Sequence, residues 1–199
     1  MNIRENIRKI INEDNRMRKP IRKVVRDIIS VVKNEEVGEF YLPEYFEDSE
    51  SMVYEFDGLR TFSVEVIIEN GEYEVDAYFS REDETIVITI QYEKDKKHSS
   101  LYKLVGELNE IIAHELRHSK QKQDDLYDLD VEEPESPLEY YTQPHEIDAQ
   151  YFGFKRLSRL LKKPFDEVVR DWFDTHKGQH QLNDDEVEIV VDKILEFRK

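Results

Sequence analysis

Residues 101–118 read LYKLVGELNEIIAHELRH and close on the pattern H-E-x-x-H at His114, Glu115 and His118. Ahead of the motif, apolar residues recur at the three- and four-residue spacing of a helix, which predicts a stripe that faces the core. The stripe consists of Leu101, Leu104, Val105, Leu108, Ile111 and Ile112. Ser99 or Ser100 is a suitable N-cap, and we expect the helix to continue to about Gln123.

The motif places metal-binding chemistry on one face of this helix. Because residues four apart share a face, His114 and His118 can present two imidazoles to one zinc ion. Glu115 would then lie beside the metal, where a carboxylate can take a proton from metal-bound water. The alternative is a surface helix that carries two solvated histidines, since the pattern fixes only three positions.

A zinc site of this kind needs a third protein ligand and an open position for water. The best candidate is Glu146, in the segment TQPHEIDAQYFG at residues 142–153. This segment reads as a second helix, with Thr142 as the N-cap and Pro144 in the first turn. Small residues on the face of Glu146 would let the two helices approach closely. The alternative is an ordinary first-turn Glu that the helix dipole favours.

Together these residues resemble the zincin metallopeptidases whose third ligand is a Glu on a second helix. The pairing Glu146-x-x-Ala149, with an acid at Asp148 and an aromatic at Phe152, is similar to the second motif of ImmA/IrrE-type proteins. The segment Pro144-His145-Glu146-Ile147-Asp148-Ala149, preceded by Tyr140 or Tyr141, also resembles the compact metallopeptidase-like proteins of phages and bacteria. The resemblance covers about residues 85–162. It implies an α+β, zincin-like domain in which a small antiparallel or mixed sheet packs on the H-E-x-x-H helix and a second ligand helix.

The same resemblance implies zinc-dependent hydrolysis of peptide bonds. His114, His118 and Glu146 would hold Zn²⁺, and Glu115 would be the general base. The expected partners are therefore zinc and a peptide or protein substrate.

A donor to the tetrahedral oxyanion is also needed, and closeness to Glu146 in the chain suggests Tyr140, Tyr141 or His145. We include Tyr141 and His145 with Glu115 in the predicted catalytic set.

The composition bounds the class of protein. A chain of 199 residues suits one domain with appendages. No apolar run approaches the roughly 20 residues that span a membrane, and no signal-peptide core is recognisable. The absence of Cys excludes disulfides and Cys-ligated zinc. We therefore expect a cytoplasmic protein with no membrane partner.

Charge divides the chain unevenly. Residues 1–33 hold ten Lys/Arg and four Asp/Glu, which gives them a net charge of +6. Because the net charge of the whole chain is −17, the remaining residues carry a net charge of −23. Two basic amphipathic helices are predicted here, broken near Lys19-Pro20. Such helices bind nucleic acid, a membrane surface or an acidic partner, or they pack on the acidic body of the same chain. We favour the last and do not expect nucleic acid as a partner.

Three regions follow from these patterns: basic amphipathic helices at 1–34, the zincin-like domain at 35–162, and a C-terminal helical extension at 163–199 packed on the same core. In the extension, one helix begins at Pro164 and the other is capped by Asn183 or Asp184.

Strands are expected where apolar and polar residues alternate. The pair Asn70-Gly71 separates two such runs and signals a two-residue hairpin. The predicted strands are Ser63–Glu69, Tyr73–Phe79 and Thr85–Tyr92, with a further strand at Glu39–Leu42 or Met52–Phe56.

An acidic segment separates the two ligand helices. Residues 124–139 hold eight Asp/Glu and no Lys/Arg, and Pro134 and Pro137 predict a loop. An acidic rim would attract basic peptides, which makes a basic substrate one possibility. A solvated connector is the other.

Two further groups resemble metal sites only superficially. The four aspartates between residues 124 and 130 lack the spacing and the Gly of a calcium-binding loop. His176 and His180 are four apart, but Gly178 between them indicates a loop, so we expect no second metal site.

Two other classes of function stay open beside a peptidase. One is a regulatory or partner-binding module that has the fold without the chemistry, because a fold does not determine an activity. The other is binding of nucleic acid or a partner through the basic N-terminal helices.

Overall fold

The structure is a computed structural model that describes residues 20–46, 62–80, 84–93, 97–127, 134–176 and 179–197. Its fold is α+β, as the sequence predicts. Residues 20–34 form helix α1. The elements that follow are β1 (Gly38–Tyr41), α2 (Leu42–Tyr45), β2 (Ser63–Asn70), β3 (Glu74–Ser80), β4 (Thr85–Tyr92), α3 (Lys97–Gln123), α4 (Pro137–Thr142), α5 (Pro144–Leu161), α6 (Phe165–Thr175) and α7 (Asp184–Phe197).

The chain divides into two compact units, Met1–Ile112 and Ala113–Lys199. The boundary falls within α3, just before the H-E-x-x-H motif, so the whole motif and α4–α7 belong to the second unit. The division into regions 1–34, 35–162 and 163–199 stays a prediction. Within the described residues, no helix combines the length and apolar character needed to cross a membrane.

The first unit contains a four-stranded mixed sheet in the order β1-β2-β4-β3. Strand β4 pairs with β2 in parallel and with β3 in antiparallel fashion, and β1 lies antiparallel to β2. The predicted strands at 63–69, 73–79 and 85–92 are confirmed within one residue at each end, and so is the alternative at 39–42, which the structure places at 38–41. The alternative at Met52–Phe56 lies outside the described residues.

The hairpin predicted from Asn70-Gly71 is wrong. Strands β2 and β3 do not pair with each other but lie on either side of β4. The run TIVITIQY in β4 is buried at most of its positions, and a strand buried on both faces needs a neighbour at each edge. The Gly71 N–H instead donates to the carbonyl of Tyr92, 3.4 Å away, at the end of the parallel ladder.

Helix α1 buries the apolar stripe that the sequence predicts: Ile21, Val24, Val25 and Ile28 are at most 6 % exposed. Its only buried carboxylate is Asp27, which pairs with Lys23 at 3.6 Å and Arg26 at 3.4 Å. The apolar face of this part of the basic segment is therefore buried in the core. The first predicted basic helix lies outside the described residues.

In the second unit, α5, α6 and α7 share one apolar core. It consists of Ile147, Phe154, Leu157, Val168, Val169, Phe173, Leu182, Val187, Val190, Val191 and Ile194. The predicted cap of α7 is confirmed, because Asn183 Oδ1 accepts from the Glu186 N–H at 3.0 Å while Glu186 Oε2 accepts from the Asn183 N–H at 2.9 Å. This reciprocal pair is a capping box.

Two local predictions near the second ligand helix are corrected. Residues 137–139 are not loop, because α4 begins at Pro137, where a missing N–H costs nothing, and Ser136 caps it by accepting from the Glu139 N–H at 3.2 Å. Thr142 is not the N-cap of α5. It ends α4, and Gln143 stands at the boundary in an extended conformation before Pro144.

Candidate metal centre

One uninterrupted helix carries the whole H-E-x-x-H motif. Helix α3 runs from Lys97 to Gln123, so it ends where the sequence predicts and begins two residues before the predicted cap. The stripe residues Leu104, Leu108 and Ile112 are buried, so this side of the helix faces apolar core, as the sequence predicts.

The two histidines of the motif meet on one face, as their four-residue spacing predicts. His114 Nε2 and His118 Nε2 are 2.9 Å apart, and the ring centroids are separated by 4.7 Å. Both rings are partly buried, with 15 % and 18 % of the side chains exposed. Two nitrogens directed at a common point are the arrangement that a metal ion requires.

Glu146, from the first turn of α5, completes the group. Its Oε2 lies 3.5 Å from His114 Nε2, and its Oε1 lies 3.3 Å from His118 Nε2. The three residues form a group that could hold a metal ion, with all ligand atoms within 4.8 Å of one another. The second helix therefore brings its carboxylate to the histidines, as the sequence predicts.

The spacing of these atoms fits a tetrahedral ion. Bonds of about 2.0–2.1 Å to nitrogen and oxygen place tetrahedral ligand atoms about 3.3–3.5 Å apart. The separations of 2.9, 3.3 and 3.5 Å are close to that value. Moreover, Glu146 Oε2 is buried and accepts no hydrogen bond from any described residue. A metal ion would satisfy this oxygen.

The electrostatics of Glu146 favour its ionised form. Burial by itself raises the pKa of Glu146, but the neighbouring imidazoles of His114 and His118 outweigh burial and hold the pKa well below its usual range. An ionised carboxylate is the form that binds metal.

Gln121 orients one of the histidines. Its Nε2 donates to the carbonyl of His145 at 2.8 Å and to Asp148 Oδ2 at 2.9 Å, so its Oε1 faces His118 Nδ1, 2.9 Å away. An amide oxygen only accepts, so the proton of His118 is on Nδ1 and Nε2 is left to bind a metal. The sequence analysis missed this residue, although Gln121 follows His118 by three positions, on the same helical face.

A buried ion pair supports this arrangement. Asp148 is completely buried, and its Oδ2 accepts from Arg117 Nε at 2.9 Å and from Arg117 Nη2 at 2.8 Å. The guanidinium also lies over the ring of Phe152, 4.4 Å from its centroid. Arg117 and Gln121 are on α3, whereas Asp148 and Phe152 are on α5. These contacts therefore hold the two ligand helices in register.

Glu115 lies beside the metal-binding group without belonging to it. The residue is buried, and its Oε1 is 4.0 Å from His114 Nε2. A carboxylate there would lie near water bound to a metal in this group, and the role of Glu115 as general base stays a prediction.

The three candidates for the oxyanion donor occupy different surroundings. His145 Nε2 is 3.5 Å from Glu146 Oε1. Burial of the Tyr140 hydroxyl and the negative charges of Glu146 and Glu115 raise the pKa of Tyr140, so the hydroxyl keeps its proton and can donate it in a hydrogen bond. The residue as a whole is still 40 % exposed.

Tyr141 faces a different environment from its neighbour. Its ring makes edge contacts with Phe173 and His180, at centroid distances of 6.2 and 6.4 Å, and packs against the apolar core of the second unit. The catalytic role of Tyr141 and that of His145 stay predictions.

His176 and His180 have other partners. Buried His180 donates from Nε2 to the carbonyl of Phe173 at 3.0 Å and accepts from the Leu182 N–H at 3.2 Å. His176 stacks on Trp172. Within the described residues, His114, His118 and Glu146 are the one group of three metal-ligating side chains. Half of the aspartate cluster at 124–130 lies outside those residues.

Comparisons with known proteins add no further identification. No protein-family model, no curated protein and no solved structure matches the chain. The candidate metal centre therefore rests on its own residues and geometry, and the resemblance to zincins stays a hypothesis.

Proposed function

We propose that this protein is a zinc-dependent peptidase. The observation that carries the proposal is the convergence of His114, His118 and Glu146, whose ligand atoms lie 2.9–3.5 Å apart, with buried Glu115 next to them. The donor set of two imidazoles and one carboxylate suits zinc. Three protein ligands also leave a coordination position for water, whereas structural zinc sites use four.

Each side chain of the site has its own role in the proposed reaction. Zinc held by the three ligands would act as a Lewis acid on the scissile carbonyl and lower the pKa of water towards ~7. Glu115 takes the proton of the attacking water and passes it to the leaving amine. The Tyr140 hydroxyl donates to the oxygen on which negative charge develops. Gln121 keeps His118 in the tautomer that binds the metal.

A cleavage assay on the full-length protein tests the proposal. We expect about one zinc per chain by plasma mass spectrometry and cleavage of unfolded peptides, beginning with a Lys/Arg-rich library because of the acidic segment at 124–139. Chelation should abolish cleavage and added zinc should restore it. A zinc-loaded protein that cleaves no peptide in a broad library would favour the regulatory module over the enzyme.

The adjacent tyrosines offer a matched pair of variants for the oxyanion donor. Tyr140→Phe should lower kcat about 10²–10³ fold, the usual cost of removing one such donor, with zinc content unchanged. Tyr141→Phe removes the same atom from a ring that packs against the core, and it should leave kcat within a few fold of wild type. The reverse result would assign the role to Tyr141, as the sequence alone suggested.

A further inference from the structure

The side chain of His145 is turned towards Glu146, the next residue of α5. His145 Nε2 lies 3.5 Å from Glu146 Oε1. Consecutive residues of a helix do not face each other, so this approach does not follow from helix geometry. Other contacts must therefore hold the imidazole in this position.

Two kinds of contact restrain His145. Its carbonyl accepts from Gln121 Nε2 at 2.8 Å, which ties the backbone of His145 to α3. Its ring lies against the rings of His118 and Tyr127, with centroid distances of 5.9 and 6.4 Å. Only 14 % of the side chain is exposed. The imidazole consequently has little freedom to turn away from Glu146.

The two oxygens of Glu146 have different surroundings. Oε1 faces His145 Nε2, whereas Oε2 is buried and accepts no hydrogen bond from any described residue. An ionised carboxylate only accepts, so the nitrogen that faces Oε1 carries a proton that it can donate. Oε2, which lies 3.5 Å from His114 Nε2, is the oxygen that has no other partner than a metal.

The carboxylate has two ways to bind one ion. Glu146 Oε1 lies 3.3 Å from His118 Nε2, so without a restraint on Oε1 both oxygens could reach the same metal. Binding through both oxygens would add a ligand atom to the site and crowd the position that water needs. A hydrogen bond from His145 to Oε1 competes with the metal for that oxygen and favours binding through Oε2 alone.

We propose that His145 is a positioning residue that donates from Nε2 to Glu146 Oε1 and thereby holds Glu146 as a ligand through Oε2 alone. This inference rests on the metal centre of the proposed peptidase, and the role differs from that of an oxyanion donor. The resulting site is four-coordinate, with two imidazoles, one carboxylate oxygen and one water. Hydrogen bonds from residues outside the ligand set commonly orient metal ligands in this way.

Cobalt(II) bound to the full-length protein in place of zinc tests the proposal, because its visible absorption is stronger in four-coordinate than in five-coordinate sites. His145→Phe removes the donor but keeps an aromatic ring beside His118 and Tyr127. We expect weaker visible absorption, because Glu146 then binds through both oxygens, and a zinc affinity lowered about 10–100 fold. His145→Gln retains an N–H donor and should restore both measurements towards those of the wild type.

The matched control is His176→Phe. His176 follows α6, where its ring stacks on Trp172 and its Nδ1 is 2.7 Å from the Trp172 carbonyl oxygen. The substitution is the same but lies outside the three-residue ligand group, so the cobalt spectrum and the zinc affinity should be those of the wild type. The Tm of each metal-free variant reports on folding, and His145→Leu replaces His145→Phe if the latter does not fold.

The outcomes separate this inference from the proposed function. If the wild type binds neither zinc nor cobalt, the metal centre is wrong and both proposals fail. If it binds metal but cleaves no peptide, only the peptidase fails, and the cobalt spectrum still decides the role of His145. An unchanged spectrum and zinc affinity in His145→Phe would overturn the inference. If cleavage were lost in that same variant, His145 would act on the substrate instead.

Discussion

Substitution of Glu115 by glutamine is expected to lower the rate of peptide cleavage roughly 10²–10⁴ fold. Glutamine has nearly the same shape as glutamate but cannot accept the proton of the attacking water. Glu115 is buried and lies 4.0 Å from His114 Nε2, outside the three-residue ligand group. Zinc content and Tm should therefore stay close to those of the wild type.

The measurement is kcat/KM on one cleaved peptide, with zinc determined on the same samples. Glu167→Gln is the control, because Glu167 is an exposed residue of α6 that pairs with Lys163 at 2.9 Å. It makes the same chemical change and should leave the rate unaltered. Cleavage by Glu115→Gln at the wild-type rate would indicate a contaminating protease or another mechanism, and the assignment of Glu115 would be wrong.

Substitution of Glu146 by alanine should have the largest effect on metal binding. The site loses one of its three protein ligands, so zinc occupancy should fall far below one per chain at a free zinc concentration that saturates the wild type. Zinc that binds only the folded state stabilises it by about 2.7 kcal/mol at 100 times Kd. We therefore expect zinc to raise the Tm of the wild type but not that of Glu146→Ala.

The control for this substitution addresses the alternative that Glu146 is an ordinary first-turn acid. Asp166 occupies the first turn of α6 and is exposed. Asp166→Ala should cost only about 0.3–1 kcal/mol through the helix dipole and should keep full zinc. Gln121→Met, which retains all three ligands, should weaken zinc about 10–100 fold. Full zinc occupancy in Glu146→Ala would show that the third ligand lies elsewhere.

Local patterns in the sequence account for much of what positions the candidate metal centre. The end of α3 at Gln123, the strand Thr85–Tyr92 and the cap of α7 at Asn183 are all readable from spacing or from a single side chain. The proximity of His114 and His118 could also be predicted from the sequence, because the rotation of about 100° per residue within a helix fixes which side chains share a face.

The sequence could not predict the contacts between elements that are distant along the chain. Glu146 could be proposed as a partner of the histidines from the chemistry of zinc, but its ligand atoms approach theirs only because α5 packs beside α3 through Arg117 and Asp148. The role of Gln121 depends on the same packing.

The sequence alone determined the α+β class, the ligand helix and the residue types at the candidate metal centre. Only the tertiary structure decided that β4 lies between β2 and β3, and that Gln121 pairs with His118. The physical reason is the range of the forces involved. Helical periodicity and capping depend on residues that are a few positions apart. Strand order and contacts between distant side chains depend instead on burial of apolar surface between distant segments, as in the buried run of β4.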